Sequence, residues 1–283
     1  MLGPDTDQHR KDLAETLRQL RRAAGLSGER LAARTAMSQP KISRIESGKT
    51  VPTVSDVERI MQALDVPAEV RAELLALTRS ANVEYTSLRS SARMGIWRSQ
   101  AEIKALAEAS SVVRQFLPAI PSGIIQTPDY ARAVLTPGVE GRPARDIDRA
   151  VQARLESQEA LNDESRTFHF VLTEQAVRLK RAENEIMVGQ LRHMIEVMNR
   201  PNVDLSVLPS SALVNASPLN VFVVYDDRLV LTEIFAGEVA LRDYRDVSYH
   251  LNIFDHFRDR AVSGNEAGEL LESIADEFMR GPD

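Results

Sequence analysis

The chain has 283 residues, enough for about two domains, and its 43% apolar and 27% charged residues are an ordinary globular balance. The chain contains no run of about 18 apolar residues, so no membrane-spanning helix is predicted, and its polar start is unlike a secretory signal. The absence of cysteine excludes disulfides, thiolate metal sites and a thiol nucleophile, so we expect a cytoplasmic protein.

Charge is distributed unevenly along the chain. The net charge of −6 by itself argues against a nucleic-acid binder. From Arg10 to Lys49, however, there are ten basic and four acidic residues, whereas residues 81–283 contain 22 basic and 30 acidic ones. A basic front on an acidic body predicts a polyanionic partner for the first domain, with an ordinary solvated surface as the alternative.

The first 80 residues have the pattern of five short helices. Apolar residues recur at helical spacing from Leu13, and Gly25 ends this first helix. Ser27 and Ser38 are candidate N-caps for the second and third helices, and Thr53 for the fourth. A fifth helix is predicted from about Ala68 to Ser80. The residues expected to be buried in the second, third and fourth helices are Leu31, Met37, Ile42, Ile45, Val57, Ile60, Met61 and Leu64.

A tight turn between the second and third helices predicts a helix-turn-helix domain. The stretch "GLSGERLAARTAMSQPKISRIESGKTVPT" resembles the Xre/Cro-type repressor family, whose usual pattern is LSQxELA…VSQxxISRIExGxxxP. The resemblance covers about residues 10–80. It implies that the third helix enters the major groove of DNA, with its first residues at the base edges.

This resemblance assigns roles to individual residues. The residues expected to face bases are Gln39, Pro40, Ser43 and Arg44. Arginine suits guanine, glutamine suits adenine, and the proline ring can touch a thymine methyl group. The residues expected to contact phosphates are Ser27, Lys41, Lys49 and Thr50. Arg21 and Glu46 are expected to form a structural ion pair inside the domain.

One position departs from the family pattern. The glutamine that usually follows the first cap is Gly28 here. A side chain that often supports phosphate or recognition-helix contacts is therefore missing, so the operator sequence cannot be copied from relatives.

The sequence after residue 80 first predicts an irregular segment and then helices. Residues 81–98 are rich in small and polar side chains and predict a linker or arm, in which Trp97 is interpreted as a cap on a second core. A helix is predicted from about Ser99 to Gln115, and a constrained loop from Phe116 to Thr127. Two more helices follow, the second ending at about Leu161.

Strands and helices then alternate. The strands Arg166–Thr173 and Val203–Pro209 flank a helix at about Glu185–Asn199, so this stretch could be a βαβ unit with parallel strands. The segment "NVFVVYDDRLVLTEI" predicts a hairpin that turns at Asp226 and Asp227. Two helices complete the chain, Tyr244–Phe257 and one that begins after Ser263.

The whole sequence therefore predicts a mainly α protein with two domains. Residues 1–80 would form a five-helix helix-turn-helix domain and residues 81–98 a linker or arm. Residues 99–283 would form a larger α+β domain with a small sheet of about four strands, which serves in dimerisation, sensing or partner binding.

This larger domain also carries a resemblance. The segments "IPSGIIQTPDYARAVL", "FHFVLTEQAVRL" and "QLRHMIEVMNRPNVDLSVLP" are similar to the C-terminal domain of actinobacterial Xre-type regulators, over about residues 85–280. These regulators are often called antitoxin-like and are typically encoded beside a small protein partner. The loop Pro121–Thr127 departs from the family's usual Pro-Gly-Leu-Leu-Gln-Thr, which leaves the chemistry of this loop open.

No enzyme class fits the second domain. Its histidines, His169, His193, His250 and His256, are too scattered for a metal site, and no phosphate loop or nucleophile elbow is present. Glu174 and Glu233 are single carboxylates at strand ends. We therefore expect no catalytic residues, no metal and no cofactor.

Two classes of function stay open at this point. In the first, the chain is a homodimeric transcriptional regulator, a repressor or autoregulator, that binds an inverted-repeat operator in double-stranded DNA and responds to a small protein partner or a ligand. In the second, it is an antitoxin-like module that neutralises a small protein encoded next door, and DNA binding only autoregulates its operon. The loop Phe116–Thr127 either plugs the core or borders a pocket or docking groove.

Overall fold

The computed structural model describes residues 3–87, 108–140 and 146–280. Trp97 and the greater part of the helix predicted from Ser99 lie outside the described residues. We call residues 3–81 the head and residues 108–280 the body, and we number helices and strands through the described residues only.

The head consists of the five helices that the sequence predicted. They are α1 (Gly3–Ala23), α2 (Gly28–Thr35), α3 (Gln39–Glu46), α4 (Val54–Ala63) and α5 (Ala68–Ala81). Ser27, Ser38 and Thr53 cap α2, α3 and α4 through their side-chain oxygens, and Asp56 completes a capping box with Thr53. Leu13, Leu17, Leu31, Ile42, Ile45, Val57, Ile60 and Met61 form one buried core.

The body is built on a sheet that also includes a strand directly after the head. The strands are β1 (Val83–Ser87), β2 (Val112–Leu117), β3 (Thr167–Thr173), β4 (Val203–Leu208), β5 (Phe222–Tyr225), β6 (Leu229–Ile234), β7 (Gly237–Leu241) and β8 (Val262–Ser263). Their order is β1-β7-β6-β5-β2-β3-β4-β8. Strands β2, β3 and β4 are parallel, and every other neighbouring pair is antiparallel.

Six helices of the body lie wholly within the described residues. They are α6 (Pro128–Leu135), α7 (Ile147–Gln158), α8 (Glu174–Arg178), α9 (Asn184–Met198), α10 (Tyr244–Arg258) and α11 (Gly264–Arg280). Phe168, Phe170 and Leu172 of β3 pack toward α9 and α11, whereas Val171 packs toward α10 on the opposite face. The body therefore has three layers, with the sheet in the middle.

The prediction of a small sheet of about four strands is wrong, because the body contributes seven strands to a mixed sheet. The helix predicted from about Ser99 to Gln115 is wrong at its C-terminal end, because Val112–Leu117 form β2. Its apolar residues, Val112, Val113, Phe116 and Leu117, fit helical i, i+4 spacing as well as they fit a strand. Strands β7 and β8 contain only five and two residues, too few to show a periodicity. Within the predicted linker, Ala81 ends α5 and Val83–Ser87 form β1.

Two local predictions about the sheet are confirmed. Strands β3 and β4 are parallel, with α8 and α9 between them, as expected for a βαβ unit. Strands β5 and β6 form an antiparallel hairpin, and Asp226 at its turn has a φ of 52°.

The loop Pro118–Thr127 is fastened to the core of the body. Ile125 is fully buried in the main core. Gln190 of α9 donates to the Ile125 carbonyl at 2.7 Å and accepts from the Thr127 amide at 2.8 Å. The side chain of Gln126 donates to the Pro121 carbonyl at 2.7 Å and accepts from Arg154. These contacts favour the interpretation of this loop as a core plug.

Candidate DNA-binding surface

The turn between α2 and α3 sets the orientation of the third helix. Ala36 ends α2 in the left-handed conformation with a φ of 52°, and the Met37 amide donates to the Ala32 carbonyl at 3.0 Å. The Ser38 side chain then accepts from the Lys41 amide at 3.3 Å and begins α3. Pro40 lies in the first turn, where its missing amide costs no helical hydrogen bond.

One side of α3 is buried and the other faces outward. Ile42 and Ile45 are at most 1% exposed and fasten the helix to the core of the head. The four residues predicted to face bases, Gln39, Pro40, Ser43 and Arg44, are all exposed. The structure therefore brings these four side chains onto one short helix with its inner face fixed.

The residue that departs from the family pattern lies next to this face. A β-carbon added at Gly28 would be 3.8 Å from Nε2 of Gln39. The amide of Gln39 thus lies beside the first turn of α2, in the space that a larger residue at position 28 would share.

Two predicted phosphate contacts follow the end of α3. Gly48 has a φ of 69°, and the amides of Lys49 and Thr50 both donate to the Arg44 carbonyl, at 2.9 and 3.2 Å. This hydrogen-bonded turn leaves Lys49 and Thr50 exposed beside the outward face of the helix.

A third predicted phosphate contact begins α2. Ser27 is exposed, and its hydroxyl oxygen accepts from the Arg30 amide at 3.2 Å. The first amides of a helix carry partial positive charge and suit a phosphate oxygen. Ser27 therefore lies where phosphate binding at a helix start is physically favourable.

Arg21 and Glu46 form a two-pronged ion pair that links α1 to the end of α3. Arg21 donates through Nε and Nη2 to the two carboxylate oxygens of Glu46, at 2.6 and 2.7 Å. Its third nitrogen donates to the Leu26 carbonyl at 2.7 Å, in the loop before α2. The Glu46 hydrogen bond raises the pKa of Arg21 against the opposing effect of burial. This pair holds three segments of the head together and leaves α3's outward face free.

Lys41 has a different environment from the other predicted phosphate contacts. Its Nζ lies 2.8 Å from Oδ1 of Asp56, a carboxylate that is 2% exposed and also accepts from Arg59 at 2.9 Å. Burial by itself would raise the pKa of Asp56, but the bonds from Lys41 and Thr53 outweigh burial and lower it. The sequence predicted the Asp56 capping box and missed the pair with Lys41. The two residues are 15 positions apart and lie on different helices, so no local sequence pattern indicates their contact.

Glu174, His169 and Asp204 each have partners within the body. Glu174 accepts from the Ser210 amide at 2.6 Å through one oxygen and from Arg178 through the other. His169 and Asp204 lie side by side on β3 and β4, with Nδ1 and Oδ2 3.1 Å apart. Within residues 3–87, 108–140 and 146–280, no group of three histidines, aspartates or glutamates is arranged to hold a metal ion. None of the helices in these ranges is both long and apolar enough to cross a bilayer.

Comparison with known proteins identifies both parts of the chain. Residues 12–74 match a family described as "Helix-turn-helix domain", and residues 100–273 match a family described as "Domain of unknown function (DUF5753)". No curated protein is similar enough to count as a match.

Two bacterial proteins and one archaeal protein are among the solved structures that share a distant likeness with the chain. Nuc from Salmonella typhimurium, a phospholipase D family member, is 11% identical, with a TM-score of 0.34 over 64% of this chain and 97% of its own. NucT from Helicobacter pylori is 13% identical, with a TM-score of 0.36 over 64% and 98% of the two chains. The archaeal chromatin protein TrmBL2 is 14% identical, with a TM-score of 0.32 over 84% and 88%. Scores this low say nothing about function.

The match to residues 100–273 spans more than half of the 283 residues. The chain therefore belongs to the family that shares this domain of unknown function (DUF5753), and it carries a helix-turn-helix domain in front of it.

Proposed function

We propose that this protein is a sequence-specific DNA-binding transcriptional regulator of the Xre/Cro type, in which α3 reads the major groove. One observation supports this most. Gln39, Pro40, Ser43 and Arg44 are exposed together on a helix whose opposite face is locked into the core by two isoleucines. Arginine and glutamine can each form two hydrogen bonds with the edge of a base, to guanine and adenine respectively.

The surroundings of α3 fit a duplex whose phosphates lie on both sides of the helix. Lys49 and Thr50 follow its end, and Ser27 stands at the start of α2. The excess of basic residues between Arg10 and Lys49 would attract the duplex, while the acidic body would stay away from it.

We further propose that the protein acts as a homodimer on an inverted repeat, with half-sites about one helical turn, 10–10.5 bp, apart. One eight-residue recognition helix reads few base pairs, so two linked heads are needed for high affinity. The body would supply the dimer contact and respond to a small protein partner or a ligand. In this proposal the protein acts as a repressor or autoregulator.

Selection of genomic DNA fragments bound by the purified protein tests the central proposal and identifies the operator. On that operator, Arg44→Ala should lose about 1–3 kcal/mol of binding free energy and relax the preference at one base pair. Lys49→Ala, in the turn that follows the same helix, is the matched control. It should weaken binding to all sequences alike and reduce the salt slope by roughly one unit. Equal losses for Arg44→Ala on operator and random DNA would show that Arg44 contacts only phosphate.

The role of the body calls for a separate experiment. Co-purification with the product of the neighbouring gene, followed by an operator gel shift, distinguishes a protein partner from a ligand. A partner that binds the body and changes DNA affinity supports the regulatory proposal. A toxic partner that is neutralised without any change in DNA affinity would favour an antitoxin-like module instead.

A further inference from the structure

One buried asparagine stands at the junction between the head and the body. Asn82 is the single residue between α5 and β1, and it is 1% exposed. Its side-chain amide donates to the Pro52 carbonyl and to the Thr78 carbonyl, both at 2.9 Å. Both amide hydrogens therefore serve carbonyls of the head, which is the arrangement expected of a buried asparagine with a fixed orientation.

The Pro52 contact reaches the loop that follows the recognition helix. Pro52 is buried and lies between α3 and α4, in the same loop as Lys49 and Thr50. Asn82 thus connects the end of α5 to the loop that follows α3. Thr78, its other partner, is fully buried and bonds back to Leu74 within α5 at 2.6 Å.

The backbone of the same residue reaches the body. The Asn82 carbonyl accepts from the Arg242 amide at 3.2 Å, directly after the end of β7. From Val83 onward the chain pairs with β7, from Val83 opposite Leu241 to Ser87 opposite Gly237. No unpaired spacer separates the last helix of the head from the sheet.

We propose that Asn82 is a positioning residue for DNA recognition, which locks the orientation of the recognition helix to the sheet of the body. This inference rests on the proposed DNA-binding function. A rigid junction means that the body sets the separation and rotation of two heads in a dimer. It also means that a partner that displaces β7 moves α3 without touching DNA, since one continuous chain of contacts joins the two.

The first test measures the junction itself, without DNA. The chain has no cysteine, so Ala24→Cys in the head and Ser273→Cys in the body introduce two unique sites for nitroxide labels. Labelled chains diluted into unlabelled ones should give a narrow distribution of distances between the labels. In Asn82→Ala the distribution should broaden at least about twofold, because the side chain that fixes the end of α5 to the α3–α4 loop is gone.

A second buried asparagine provides the matched control. Asn202 is 7% exposed, and its side-chain amide donates to the carbonyls of Leu161, Asp163 and Arg166 at 3.2, 3.2 and 3.1 Å, all within the body. Asn202→Ala removes comparable hydrogen bonds and should leave the distance distribution narrow. If Asn82→Ala does not fold, Asn82→Ser serves in its place, because a hydroxyl cannot reach both carbonyls.

The second test measures what the junction does for recognition. Two base pairs inserted between the half-sites move one half-site by roughly 7 Å and rotate it by roughly 70°. Wild type and Asn202→Ala should lose at least about tenfold in affinity for the lengthened operator, and Asn82→Ala less than about threefold.

The outcomes separate this inference from the proposed function. A wild-type chain that binds no DNA fragment overturns the proposed function. Suppose instead that wild type binds DNA but matches Asn82→Ala both in its loss of affinity for the lengthened operator and in its distribution of label distances. That result overturns only the role of Asn82. If Asn202→Ala tolerates the lengthened operator as well as Asn82→Ala does, the role of Asn82 is also overturned, since loss of stability alone would then explain the change.

Discussion

The head and the body differ in the contacts that link their elements. The head is five short helices around one core, and two ion pairs between helices, Arg21–Glu46 and Lys41–Asp56, fix their relative positions. The body is a wide sheet with an apolar core on each face, held by side chains from strands far apart in sequence. Apolar packing therefore builds both parts, and in the head the two ion pairs add polar links from α3 to α1 and to α4.

The largest effect should come from the aromatic core of the body. Phe116 is 1% exposed, stacks on Phe257 with ring centres 4.5 Å apart and contacts Phe222 at 5.4 Å. Phe116→Ala should lower the free energy of unfolding by about 3–5 kcal/mol, since it removes a ring and leaves a cavity. Urea unfolding measures the loss, and hydrogen exchange should show it in β2, β3 and β5 before α2 and α3.

A fully exposed phenylalanine provides the control for this substitution. Phe235, in the turn between β6 and β7, has all of its side chain in solvent. Phe235→Ala should change the free energy of unfolding by no more than about 0.5 kcal/mol. If both variants cost the same, the core of the body does not depend on packing at Phe116.

The head should respond most to the loss of its buried ion pair. The side chains of Arg21 and Glu46 are only 14% and 11% exposed. Arg21→Ala leaves the Glu46 carboxylate and the Leu26 carbonyl without their partner, so we expect a loss of about 2–3 kcal/mol. Hydrogen exchange should report the loss in α1 and α3 and leave β2 and β3 protected.

Arg132 and Asp148 are a matched pair on the surface of the body. Their side chains are 53% and 83% exposed, with Nη2 and Oδ1 2.6 Å apart. Arg132→Ala should therefore cost at most about 0.5 kcal/mol, because water replaces the partner of an exposed charge. A loss as large as that in Arg21→Ala would mean that burial does not control the strength of these pairs.

The same contrast explains how much of the structure the sequence predicted. In the head, several boundaries have a local signal, such as Ser27, Ser38 and Thr53 at helix starts and Gly48 after α3. The body sheet depends on pairing between distant strands. Val112–Leu117 is a strand that pairs with β5 on one side and β3 on the other, and these partners cannot be identified from its six residues alone.

The functional surface divides in the same way. Exposure of Gln39, Ser43 and Arg44 could be predicted, since it follows from helical spacing against Ile42 and Ile45. The contacts of Lys41 and of Asn82 could not, since their partners lie on other elements.

A smaller effect should appear in the pH dependence of the body. Burial alone would raise the pKa of Glu174, but bonds from the Ser210 amide and from Arg178 outweigh it and lower that pKa. A carboxylate with a lowered pKa in the folded state stabilises the fold above about pH 4.5, the ordinary value for a glutamate. This contribution is lost as the pH falls through the lowered pKa.

Substitution at Glu174 should therefore flatten the pH profile. The free energy of unfolding of Glu174→Gln, measured by urea titration at pH 7 and pH 3, should fall less between these values than that of wild type. Glu277, on the other side of Arg178, is the control. The hydrogen bond from Arg178 also lowers the pKa of Glu277, but its side chain is 47% exposed, so Glu277→Gln should flatten the profile less. The reverse order would contradict the structural role of Glu174.

The smallest effect concerns Lys41, which has both an implied role in DNA binding and an observed contact that stabilises the head. The resemblance implies a phosphate contact, but the ammonium group lies 2.8 Å from the buried carboxylate of Asp56. Lys41→Ala leaves Asp56 with Arg59 and the Thr53 amide as partners, so the free energy of unfolding should fall by only about 1 kcal/mol or less. In DNA binding, the salt slope should change by less than about 0.3 units, against roughly one unit for Lys49→Ala, because a lysine that stays with Asp56 releases no counterion from the duplex. A change of a full unit in Lys41→Ala would show that Lys41 leaves Asp56 when DNA arrives, and α3 would then bind phosphate through a side chain that holds the free head together.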